Sequence, residues 1–246
     1  ANFAKEYVRG IISEPLPWLE DQVNVTVSDD SGTCNAMSDG NDLYFYDGND
    51  QCENTARIPD VVYHEAGHSV HSQALIPGVG LFEGALSEGI SDYLSATITG
   101  DPGVARGFFL SDDPLRQLDP ELKEWHWPED RGEVHDEGRI IGGTLWDLRK
   151  ELIVEMGEAD GIAWTDKIWY EGIRRASDIP TMYPAALLVD DDDGDLSNGT
   201  PHSCAIDQVF YKHGLVGALV LGGRVQALAQ KPDGQVPVEL EIHEAQ

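Results

Sequence analysis

Two histidines four residues apart, His64 and His68 in the segment HEAGH, form the spacing in this sequence most suited to chemistry. Four residues is close to one helical turn, so on a helix both imidazoles leave the same face and can share one Zn²⁺. Glu65 then projects beside the ion, placed as a general base rather than as a ligand. The next helical pattern, LSEGISDYLSA, offers a third ligand: Glu88 follows His68 after 19 intervening residues. Asp92, four residues further on, lies on the same face and can accept a hydrogen bond from a ligand histidine, which fixes its tautomer. Glu83 and Asp92 are rival ligands, but neither accounts for the E-x-x-x-D pair as Glu88 does. Two histidines and one glutamate leave a fourth position for water, as a catalytic rather than a structural zinc site requires.

A second group of hard oxygen ligands sits in DDDDGDLSNGTPH, residues 190–202. Asp191, Asp193 and Asp195 suit Ca²⁺, with a solvated acidic turn as the competing reading. The loop is not an EF-hand, because with Gly194 at the sixth position Val189 would stand at the first. His71, seven residues after His64, would close the zinc site as a fourth ligand and is read as packing or as support for the ligands. The WHW cluster at 125–127 reads as packing, and His202 and His213 carry no partner pattern.

These residues need elements to hold them. Phe3, Tyr7, Val8, Ile11 and Ile12 recur at helical spacing over 3–12, and Pro15 and Pro17 end that helix. Val23, Val25 and Val27 alternate with polar residues as in a half-buried strand, and LYFY at 43–46 is strand-like. From Pro59 the period changes, and VVYHEAGHSV reads as a buried helix with Pro59 near its first turn. Helical patterns recur at about 87–98, 140–156, 161–176 and 203–213, the last stopped by Gly214. After Gly214 the chain alternates in VPVELEIH and reads as strands or the start of a further module. The expected fold class is α+β: a small sheet-rich N-terminal lobe over 1–75 ending in the HExxH helix, a mainly helical lobe over 76–214, and a tail over 215–246.

Composition narrows the partners. Sixteen Lys and Arg face 45 Asp and Glu, a net charge of −29. A surface this acidic repels nucleic acid and anionic lipid, which argues against both as partners. No run of 18 apolar residues exists to span a membrane. The first residues lack the pattern of a signal peptide and an initiator Met, so a processed or excised domain is expected. Cys34 and Cys52 flank a hairpin-like segment, and a disulfide between them, with Cys204 unpaired, implies an oxidising compartment.

Over most of its length the chain resembles the thermolysin-like and fungalysin-like zinc metallopeptidases, the gluzincins. HEAGH, then 19 residues, then EGISD is similar to the family's HExxH and E-x-x-S-D pair. GEVHDEG at 132–138 is similar to a later G-x-V-H-x-x-G element, which implies that His135 donates to the oxyanion and that Asp130 orients it. LRQLDP at 115–120 resembles the stretch whose arginine binds a substrate carbonyl, here Arg116. CNAMSDGNDLYFYDG resembles the edge strand that pairs with substrate, giving that role to Asn35 and Ala36. A second oxyanion donor of the family would fall near Val79, which has no donating side chain, so the load falls on His135.

The resemblance implies a secreted, monomeric, zinc-dependent endopeptidase acting on internal bonds of extended or unfolded polypeptides through a zinc-bound water. An aminopeptidase on the same zinc core is the first alternative, and it needs an acidic group for the substrate amine. A catalytically dead, calcium-stabilised binding module is the second, and the intact Glu65 argues against it.

Overall fold

The computed structural model describes residues 1–217. Helix α1 (Asn2–Ile11) leads into strands β1 (Val25–Thr33), β2 (Ala36–Ser38) and β3 (Leu43–Asp47). Helices α2 (Pro59–Ala74) and α3 (Gly84–Thr99) follow, then the short pair β4 (Gly103–Val104) and β5 (Arg116–Gln117). Helices α4 (Val134–Met156), α5 (Glu158–Ile173), α6 (Met182–Asp190) and α7 (Ser203–Lys212) complete the described chain. The α+β class expected from the sequence is observed.

The three-stranded sheet has the order β1-β3-β2, with β1 parallel and β2 antiparallel to β3. Leu43 and Phe45 of the central strand are fully buried, beside Ile58, Val61 and Ala66. The half-buried strand expected around Val25 differs: Val25 and Val27 are 42% and 58% exposed, because β1 is an edge strand with no layer over it. The Cys34–Cys52 disulfide forms as expected and closes the β2–β3 hairpin, while Cys204 is free and exposed. Ser38 Oγ lies 2.8 Å from Ser69 Oγ of α2, and Thr55 Oγ1 donates to the Asn35 carbonyl at 2.9 Å. The two ends of β2 are thereby tied to α2 and to Thr55, away from its outer backbone edge.

Pro59 occupies the first turn of α2, where its missing N–H costs nothing. Helix α3 is buried almost all round, with Leu86, Ile90, Tyr93 and Leu94 in the main helical core. It meets α4 at very close range through glycines. A Cβ on Gly138 would lie 2.8 Å from the Gly89 nitrogen and 2.9 Å from Glu88 Cβ, and one on Gly89 would run into the Gly138 carbonyl and Ile141. The close approach sets Glu88 of α3 beside the first turn of α4. Gly89→Ala is accordingly expected to destabilise the fold by about 3 kcal/mol or more, since the obstruction is backbone rather than a flexible side chain; chemical denaturation measures it.

Helix α6 and the β4–β5 pair are elements the sequence patterns do not announce. Of the tail expected over 215–246, residues from 218 onward lie outside those described. Among the described residues no helix is long and apolar enough to cross a membrane.

Candidate metal centre and cleft

His64 and His68 lie one turn apart on α2, and Glu88 reaches them from α3. His64 Nε2 is 3.1 Å from His68 Nε2 and 3.2 Å from Glu88 Oε2, and His68 Nε2 is 3.5 Å from Glu88 Oε1. Ligand atoms from all three lie within 4.8 Å of one another. His64 Nδ1 lies 2.7 Å from Asp92 Oδ1 without making a well-aligned hydrogen bond, and because a carboxylate can only accept, the contact favours a proton on that nitrogen. His64 Nε2 then turns a lone pair toward the other imidazole and the Glu88 carboxylate. Glu88 Oε2 is buried with no hydrogen-bond partner.

Such a convergence of acceptors calls for a positive charge at its centre. A proton can supply it: burial alone would lower the His64 pKa, but Asp92 and then Glu88 carry it up to about 10. A divalent cation satisfies all three donors at once, and two imidazoles with one carboxylate are a donor set that zinc accepts. His68 is suited to it, since burial and the neighbouring His64 push its pKa down to about 3 and leave it neutral. Burial works against ionised Glu88, yet the close approach and charge of His64 hold its carboxyl well below the usual range.

Glu65 is 6% exposed, and burial pushes its carboxyl up to about 7, with His64 opposing the shift. A carboxylate poised there can take and return a proton near neutral pH. Asp92 is fully buried and serves two partners: beside His64 it accepts both Arg116 Nε at 2.6 Å and Nη2 at 2.7 Å. These contacts hold its carboxyl far below the usual range despite burial. Asp92→Asn keeps the shape but removes the charge facing His64 and Arg116. It is expected to weaken zinc affinity about 10–100-fold, measured by competition with a chelating dye.

The centre opens into a cleft of about 460 Å³ whose lining includes Asn35, Ala36, Glu65, Arg116 and His135. Val61, Phe82, Val104, Phe108 and Leu115 supply apolar surface to the same cleft. Sequence spacing thus brought together His64, Glu65, His68, Glu88, Asp92, Arg116, His135, Asn35 and Ala36. It misplaced Asp130. That carboxylate accepts Lys123 Nζ at 2.6 Å and the His126 backbone nitrogen at 2.9 Å, and it makes no hydrogen bond to His135. The carboxylate at His135 Nδ1 is Glu133, at 2.7 Å. Ser87, 2.9 Å from His68 Nδ1, was also missed, although its place next to Glu88 was a usable signal.

The remaining candidates separate cleanly. Glu83 occupies the N-cap position of α3 without a side-chain capping bond and lies 3.7 Å from Arg131, apart from the metal group. His71 is fully buried, packs on Phe82 with ring centres 3.9 Å apart, and is pushed by burial down to about 4, so it is a neutral packing residue. His202 and His213 pair with the buried carboxylates of Asp190 and Asp147. Glu124, Asp147 and His213 converge as well, but the Lys212 ammonium sits 2.7 Å from Glu124 and 2.6 Å from Asp147, where a cation would go. In the acidic loop Asp191, Asp193 and Asp195 each accept a backbone N–H from within the loop.

No protein-family model matches the sequence, and a search of curated proteins gives no match. Among solved structures the chain is similar to the precursor of protealysin, a metalloproteinase from Serratia proteamaculans. The TM-score is 0.50 at 18% sequence identity, and the match covers 87% of this chain and 78% of that chain. At that identity the likeness concerns the fold alone.

Proposed function

We propose that this chain is a secreted zinc-dependent endopeptidase that hydrolyses internal bonds of extended or unfolded polypeptides. The observation that carries the reading is the convergence of His64, His68 and Glu88 beside buried Glu65, at the base of a cleft bordered by a one-sided strand. Zinc held by the three ligands would polarise a peptide carbonyl and acidify a water molecule.

The chain's own residues supply the rest. An extended peptide would pair with the edge of β2 at Ala36, since β2 is bonded only to β3, with the Asn35 side chain beside it, the Asn35 carbonyl being taken by the Tyr46 N–H and Thr55 Oγ1. Arg116, its Nε and Nη2 committed to Asp92, has Nη1 left to hold a substrate carbonyl. Glu65 would accept the proton of the attacking water and pass it to the leaving amine. His135, on the far side of Glu88 at 3.5 Å, would donate to the oxygen that becomes negative. The two lobes, 1–75 and 76–214, are part of the proposal, with Val8, Leu16, Trp18, Val70 and Ala74 of the first sharing one hydrophobic core with α3–α7. The disulfide fits an oxidising compartment, and a monomer is the expected state.

Metal analysis together with digestion of unfolded casein and of an N-terminally blocked peptide tests the reading. One zinc per chain and internal cleavage of the blocked peptide are expected. Cleavage only of peptides with a free amine would make the protein an aminopeptidase, and zinc without any cleavage would make it a binding module. Calcium at Asp191, Asp193 and Asp195 is part of the proposal: EGTA at fixed zinc is expected to lower the Tm by a few degrees, and an unchanged Tm would return the loop to its own hydrogen bonds.

A further inference from the structure

We propose that Glu133 is the positioning residue of His135, fixing its ring and its backbone with one carboxylate. The inference rests on the peptidase reading for its catalytic meaning and on geometry for the contact itself. Oε1 of Glu133 faces His135 Nδ1 at 2.7 Å, while Oε2 accepts the backbone N–H of His135 at 3.0 Å and of Asp136 at 3.4 Å. Glu133 is thus the N-cap of α4 and the partner of the imidazole two residues later.

The residue type is informative. Helix N-caps favour Ser, Thr, Asp and Asn, whose short side chains reach the free N–H groups directly. Glutamate is a poor choice for capping alone, and its extra methylene is what lets the carboxylate turn back onto a ring. With Nδ1 donating to Glu133, Nε2 is the nitrogen left facing the cleft, 3.5 Å from Glu88 Oε2, and His135 would donate from there with a second proton on the ring. Asp130 is engaged elsewhere, held below the usual carboxylate range first by Lys123. Glu133 is lowered too, and His135 is the leading cause.

The test separates cap from carboxylate. Glu133→Ser restores a favoured N-cap and removes the ring partner, and Glu133→Gln keeps the reach but not the charge. In the zinc-loaded full chain, ¹⁵N shifts of the His135 ring should show the proton held on Nδ1 in the wild type and in Asp130→Asn, and released to exchange between both nitrogens in Glu133→Ser. kcat on a blocked peptide should fall about 10–100-fold in Glu133→Ser at unchanged KM, the cost of a misaligned group, and less in Glu133→Gln. A Glu133→Ser ring that keeps its Nδ1 proton, or an Asp130→Asn ring that loses it, overturns the inference. The shifts are read without turnover, so they decide the role of Glu133 at the ring even if the chain proves not to be a peptidase.

Discussion

Glu65→Gln is expected to retain one zinc per chain and to lose peptidase activity by about 10³–10⁴-fold, the upper part of what a positioned base contributes. The side chain is buried beside the ligands without being one of the three that converge. Glutamine preserves its volume and hydrogen-bonding reach, so the fold and the metal group stay intact while the proton acceptor disappears. Burial that sets Glu65 at about 7 also gives a sign to the pH dependence: the base is lost as pH falls through its pKa, so activity declines on the acid side. A bound cation lowers that pKa, placing the decline of the loaded protein below 7. Glu88→Ala is the contrast, because it removes a ligand and zinc with it. Zinc lost from Glu65→Gln, or activity retained by it, would remove Glu65 from the role of base.

His135→Ala is expected to lower kcat and kcat/KM together by about 10²–10³-fold, with KM and zinc content unchanged. The reason is timing: a donor that meets charge only as it develops contributes nothing to ground-state binding. The upper part of the range is expected because Val79, where a second donor would stand by resemblance, carries none. Loss of zinc in this variant would make His135 a ligand and reopen the assignment of Glu88. Retention of both zinc and kcat would move the oxyanion partner elsewhere.

What the sequence made legible follows from period and reach. HEAGH and EGISD are each confined to about one helical turn, so i and i+4 rules place their side chains without knowledge of the fold. The pairing of α2 with α3 then needed only that Glu88 be near, and the 19-residue interval allowed it. The Asp92 contact to His64 was readable for the same reason, whereas its grip on Arg116 was not, because the two are joined across 24 residues and a two-stranded pair too short to signal itself. Asp130 and Glu133 show the limit most clearly. Both carboxylates precede His135 closely enough to reach it, and only the direction of the loop and the competing Lys123 decide which one does. Val25 and Val27 misled because alternation reports which side chains can share a face, not whether anything covers it.

In the proposed roles, the carboxylate of Asp92 touches a metal ligand, His64, and a substrate-binding arginine, Arg116, at once, which would couple the two binding events. Any interaction at Arg116 that alters how firmly it holds Asp92 alters the hold of Asp92 on His64, and free energy passes equally in both directions. A peptide that engages Arg116 should therefore change the affinity for the ion, read by competition with a chelator, by the same factor that the ion changes the affinity for the peptide. The cleft and the metal centre would then behave as one cooperative unit, with a single buried side chain as the element through which each senses the other.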